Sequence, residues 1–182
     1  DFVVIEDGFL LGLGITLLVH DGLLLITLIA VVFPLEGFDD DETGRATLRG
    51  LRGVAVIVEP PPEQMEKDGL LKTEIQTDAE LRLRLANIRV LTTEEWLKTK
   101  GEPYLRIRVV GVSTPDGVYS YTLVVELSQR VVLERNPSIA TDVRTWWVGS
   151  YGYRHKTELR RLREFIRDQV DRFANAYLSV NP

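Results

Sequence analysis

Over residues 118–134 the side chains alternate in character. Tyr119, Tyr121, Leu123, Val125 and Leu127 fall on one side, and Ser120, Thr122, Glu126, Ser128 and Arg130 mostly on the other. A period of two belongs to an extended strand with one buried and one wet face. A strand of this length is stable only within a sheet whose apolar face is covered. The end of the chain supplies a cover. Leu159, Leu162, Ile166, Val170, Phe173 and Tyr177 recur every three or four residues, while Arg160, Arg161, Arg163, Arg167, Asp168, Asp171 and Arg172 take the opposite side. That is the stripe of a helix packed on one face.

The elements before it can be read in the same way. Residues 54–58 form a β-branched run, apolar on both faces, that reads as a buried strand and ends at Pro60-Pro61-Pro62. Residues 71–86 carry Leu71, Ile75, Ala79 and Leu83 on one helical stripe. Asn87 stands where a left-handed C-terminal cap is needed, and Ile88 can fold back on the last turn. A short strand at 89–91 follows. Thr92 and Glu95 have capping-box spacing for a helix that Gly101 and Pro103 stop by about residue 100. Leu105, Ile107 and Val109 alternate with Arg106 and Arg108 in a half-wet strand, and Pro115-Asp116-Gly117 marks a turn. Asn136-Pro137 turns the chain again, residues 143–148 offer one more strand, and 149–152 reads as a loop. This order predicts an α+β domain over 54–182, a mixed sheet of about four to five strands with two main helices packed on one face.

The head of the chain differs in kind. Nine of the 27 carboxylates precede Arg45, the first of the 22 basic residues. Residues 9–19 and 23–33 are strongly apolar, separated by His20-Asp21-Gly22. Residues 1–37 are therefore expected to be an apolar leader, a signal or anchor segment. Against a signal stand the missing basic n-region and the missing A-x-A site. A second reading makes 2–5, 10–19 and 23–33 strands, with Asp7-Gly8 and Asp21-Gly22 as hairpin turns. With Met65 the only methionine, a misassigned gene start is a third. Residues 38–53, with Asp39-Asp40-Asp41-Glu42, Gly44 and Gly50, read as an acidic linker.

The strand at 54–59, the helix end and strand in 81–88, the strand within 121–133 and the closing segment 173–182 resemble a group of small exported bacterial α/β domains. More loosely they look like the N-terminal domain of TolB-type proteins and lipoprotein activators of cell-wall synthases. The resemblance covers about the last two thirds of the chain, by topology rather than by a diagnostic motif. It implies a protein-binding module of the bacterial envelope and carries over no catalytic residues. The lipoprotein version lacks its lipobox cysteine here.

The residues themselves give little chemistry. There is no cysteine, so thiol nucleophiles and thiolate metal sites are excluded. His20 lies in the leader, and His155 beside Lys156 reads as a surface residue. No phosphate-binding loop or nucleophile elbow occurs. Adjacent Glu94 and Glu95 point apart on a helix and read as helix-start electrostatics. Binding candidates are Trp146 and Trp147, one of which strand alternation would expose, and Arg106 and Arg108 on a wet face. Interleaved Glu126 and Glu134 favour a solvated sheet face over a nucleic-acid surface. The expectation is a non-enzymatic, periplasmic or envelope-associated module without a cofactor. It contacts a protein partner or a second copy, no nucleic acid, and a membrane only through an uncleaved leader. The alternative is a small-ligand-binding or hydrolytic domain with a pocket between sheet and helices.

Overall fold

The computed structural model describes the backbone of residues 2–5, 9–20 and 23–34 and all of residues 40–182. The chain divides into two units, 1–38 and 39–182. In the first, β1 (Phe2–Ile5), β2 (Phe9–His20) and β3 (Leu23–Pro34) form an antiparallel sheet in the order β1-β2-β3. The β2–β3 register runs from Phe9 opposite Pro34 to His20 opposite Leu23. These are the strands of the second reading of the head. The two Asp-Gly turns expected between them lie outside the described residues. Among the described residues no helix is long and apolar enough to cross a membrane.

The second unit is an α+β domain. Its elements are α1 (Glu42–Ala46), β4 (Ala55–Val58), α2 (Glu63–Lys67), α3 (Lys72–Leu85), α4 (Thr93–Lys98), β5 (Tyr104–Ser113), β6 (Val118–Leu133), β7 (Asn136–His155) and α5 (Leu159–Val180). The four strands form one mixed sheet in the order β4-β5-β6-β7. β4 runs parallel to β5, and the other pairs are antiparallel. The alternation of β6 fixes the register: Tyr119, Tyr121, Leu123, Val125 and Leu127 are all buried. They pack with Leu105, Ile107 and Val109 of β5 and Trp146 and Val148 of β7 in one core with the apolar stripes of α3 and α5. Ile75, Ala79 and Leu83 come from α3, and Leu162, Ile166, Val170 and Phe173 from α5. Arg163 of α5 locks the two helices together through Glu74 at 2.6 Å and Asp78 at 2.8 Å.

The capping signals of the sequence are realised. Asn87 adopts φ 58°, and the Ile88 N–H reaches back to the Leu83 carbonyl at 2.8 Å. Thr92 and Glu95 form both bonds of the capping box.

The structure departs from the sequence expectation in five places. The chain turns at residues 134–135, so Asn136-Pro137, expected as the turn, and residues 138–142 already belong to β7. Residues 40–53, expected as a solvated linker, belong to the domain: α1 forms there and Leu48 is fully buried. Asp40 ties Arg45 to the core by accepting from Arg45 Nε at 2.8 Å and Trp146 Nε1 at 3.0 Å. Leu71, read as part of the core stripe, is the N-cap of α3 and stays exposed. Residues 149–152, read as a loop, continue β7, where Gly152 serves close packing rather than a turn. A Cβ on Gly152 would stand 3.0 Å from the Tyr121 hydroxyl. Finally, β4 is an edge strand although both its faces are apolar.

Candidate binding surface

Alternation places a second set of side chains on the sheet face turned away from α3 and α5. In cross-strand rows these are Tyr104, Ser128 and Arg144; then Arg106, Glu126 and Trp147; then Arg108, Val124 and Gly149. Two of the four expected binding residues meet here in one row. Arg106 Nε donates to Glu126 Oε1 at 2.6 Å, and Arg106 Nη2 makes a second bond to the same oxygen. Arg144 Nη1 lies 3.5 Å from Glu126 Oε2, with its guanidinium carbon 4.3 Å above the Trp147 ring. Glu126 is only 2 % exposed. Partial burial works against the charge of Arg106, but the hydrogen bond and charge of Glu126 outweigh it and raise the guanidinium above its usual value. With Glu59 Oε1 3.5 Å from Arg106 Nη1 as well, two arginines meet two carboxylates in a compensated cluster, and the Arg106 guanidinium is already spent on them. Arg108, one row further on, makes no ion pair among the described residues.

Trp146 and Trp147 divide as alternation requires. Trp146 has no exposed surface: its ring meets Phe173 edge-on at 5.2 Å and its N–H reaches Asp40, so it organises the core and cannot touch a partner. Trp147 is half-buried on the opposite face.

A different feature is open to a partner. Ala55 N–H donates to the Pro103 carbonyl and Glu59 N–H to the Ile107 carbonyl, which turns the odd-numbered residues of β4 toward β5. The even-numbered residues point out of the sheet. Val54 is paired on that side in both senses: its N–H donates to the Arg89 carbonyl, and its carbonyl accepts from Leu91 N–H. Residues 89–91 thus begin a further parallel strand, bridged at Val54 and Val90, which ends when Thr92 caps α4. Gly53 permits this approach, since a Cβ there would lie 2.6 Å from the Arg89 carbonyl oxygen.

Beyond that point the edge is unfinished. The Val56 carbonyl accepts from the Gln76 side chain at 3.0 Å, while the N–H groups of Val56 and Val58 have no protein acceptor among the described residues. An open groove of about 450 Å³ lies along this edge, walled by Gln76, Glu80 and Arg84 of α3 and by Thr93 and Trp96 of α4. Trp96 is held by its N–H to the Glu102 carbonyl at 2.6 Å and packs edge-on against Tyr104 at 5.7 Å.

None of these groove residues was singled out from sequence. The available signal was Pro60-Pro61-Pro62 directly after β4, since proline is tolerated at sheet edges and ends. Among the described residues no group of three or more His, Asp or Glu side chains is placed to hold a metal ion. His155 caps the turn before α5, its Nδ1 2.8 Å from Thr157 Oγ1. Glu95 is held below the usual carboxylate range first by the Thr92 N–H and then by Arg89, as a capping residue should be. No protein-family model matches the chain, and no curated protein matches it.

Proposed function

We propose that this protein is a binding module without catalytic machinery of its own, and that it takes an extended segment of a protein partner as an additional strand on β4. The observation that carries this reading is the unclaimed N–H of Val56, which faces an open groove at a sheet edge, with that of Val58 next along the same edge. Exposed edges are templates for pairing, and proteins that do not use them cover or blunt them. Here, among the described residues, the outward polar groups of the edge are claimed at Val54, by residues 89–91, and at the Val56 carbonyl, by Gln76. An incoming strand would displace Gln76 and gain main-chain hydrogen bonds, with alternate side chains entering the groove beside Trp96. Gln76 has a second partner in Glu80 at 2.6 Å, so its release does not orphan it. Buried side chains fill the layer between the sheet and α3 and α5, and the open space lies at the β4 edge against α3 and α4.

Selecting peptides from a random library against the whole chain tests the proposal. Bound peptides should shift and protect the amides of Val56 and Val58 in hydrogen exchange, and Gln76→Leu should change their affinity. Selected peptides that protect amides elsewhere would refute it. An envelope location belongs to the same proposal and rests on the apolar runs at 9–19 and 23–33; fractionation of the native host tests it.

A further inference from the structure

We infer that a second groove, between the turn at residues 50–52 and α4, binds an acidic peptide segment. This groove of about 670 Å³ is bordered by Arg52, Arg89, Lys98 and Lys100, with Glu95 as its one carboxylate. Four cations against Glu95, and Glu94 paired with Lys98 at the rim, leave a local charge of +2 in a chain whose net charge is −5. A concave surface of one sign focuses its field and favours a ligand of the other. Two of the cations are partly spent: Arg89 pairs with Glu95, and Lys98 with Glu94. Arg52 and Lys100 are exposed and have no ion-pair partner among the described residues.

Both walls are braced. The 50–52 turn is fastened to the end of α5: Gly50 N–H donates to Asn181 Oδ1 at 2.7 Å, Asn181 Nδ2 to the Leu48 carbonyl at 2.9 Å, and the Tyr177 hydroxyl to the Leu51 carbonyl at 2.6 Å. The other wall is fixed by the capping box of α4. A site held in this way loses little freedom when it binds. The chemistry selects peptide over nucleic acid. No aromatic ring lines the groove, so bases have no stacking platform. Leu51 and Leu91 line it instead, giving an aliphatic side chain a place between flanking carboxylates.

The inference does not depend on strand addition at β4, and its test leaves that edge intact. Fluorescence anisotropy of the full chain would use a labelled peptide of alternating glutamate and leucine, with a lysine–leucine peptide and an oligothymidylate as comparators. The acidic peptide should bind, more weakly as salt rises, and the lysine peptide should not. Arg52→Glu combined with Lys100→Glu should weaken binding at least tenfold, whereas Lys72→Glu on α3 should leave it unchanged. If the double variant fails to melt cooperatively, Arg52→Ser and Lys100→Ser give the same reading, each with about a threefold loss. Unchanged binding in these variants overturns the inference, and so does an oligothymidylate that binds as tightly as the acidic peptide.

Discussion

Arg106 and Glu126 stand opposite each other across the β5–β6 pair, with the guanidinium Nε 2.6 Å from Glu126 Oε1. The two partners differ in access to water. The Glu126 side chain is 3 % exposed and that of Arg106 34 %. Removing one partner of a buried pair costs more than the pair contributes, because the remaining charge is stranded. Arg106→Ala should therefore lower stability by about 3 kcal/mol. Arg144→Ala, at 3.5 Å and more exposed, should cost less than about 1 kcal/mol. Replacing both members, Arg106→Met with Glu126→Leu, should recover most of the loss. Urea unfolding of the three variants checks the order; equal losses for Arg106→Ala and Arg144→Ala would contradict it.

Tyr119 gives a pH-dependent prediction. Its ring is buried and its hydroxyl donates to Asp68 Oδ2 at 2.5 Å. Desolvation, then the hydrogen bond and charge of Asp68, raise the phenol from 10.0 to about 12. The folded state thus holds this proton more tightly than the unfolded state. The resulting stability is fully present below pH 10.0 and is lost as pH rises toward about 12. Tyr119→Phe should cost about 1–2 kcal/mol at neutral pH through the lost bond. It should also flatten the alkaline decline, as read from denaturant midpoints across that window.

How much of this was legible in the sequence depends on what each feature rests on. β4, β5, β6, the middle of β7, the two long helices, the Asn87 cap and the Thr92–Glu95 box follow from local periodicity and local hydrogen bonding, both encoded within a few residues. The order of residues 40–53 is not legible locally because it comes from afar. Asp40 is held by Trp146, and Leu51 by Tyr177, contacts more than a hundred residues apart in sequence. The β4 groove was hidden for a related reason. Whether Val56 meets another strand or open space depends on where residues 89–91 diverge, and no pattern within 54–58 records that.

Gly111 tests the packing between α2 and the sheet. A Cβ there would lie 2.6 Å from Met65 Cε and 3.0 Å from the Ser120 carbonyl oxygen, and Met65 is fully buried. Gly111→Ala should therefore cost about 1–3 kcal/mol by overpacking. Met65→Ala should cost about 2–5 kcal/mol by leaving a cavity. Because the new methyl would occupy space that Met65 vacates, the double variant should be more stable than the sum of the two losses by at least about 1 kcal/mol. Additive losses in urea unfolding would show that the Ser120 carbonyl, not Met65, is the obstacle.

The final prediction concerns where the second unit begins. A chain starting at residue 39 keeps Asp40 as acceptor for Trp146 and Arg45, Leu48 in the core, and the Leu48 and Leu51 carbonyls for Asn181 and Tyr177. A chain starting at residue 54 loses all of these at once. Its Trp146 N–H is buried without an acceptor, at about 1–3 kcal/mol. The void left by Leu48 adds about 2–5 kcal/mol by analogy with large-to-small core changes. Against a typical domain stability of about 5–15 kcal/mol, these losses, with the bonds of Asn181 and Tyr177 gone as well, remove a cooperative fold whose stability lies in the lower half of that range. The longer chain should therefore unfold in a single urea transition with a full near-ultraviolet tryptophan signal, and the shorter one should show neither. Cooperative unfolding of the shorter chain would mean that residues 40–53 decorate the domain rather than complete its core.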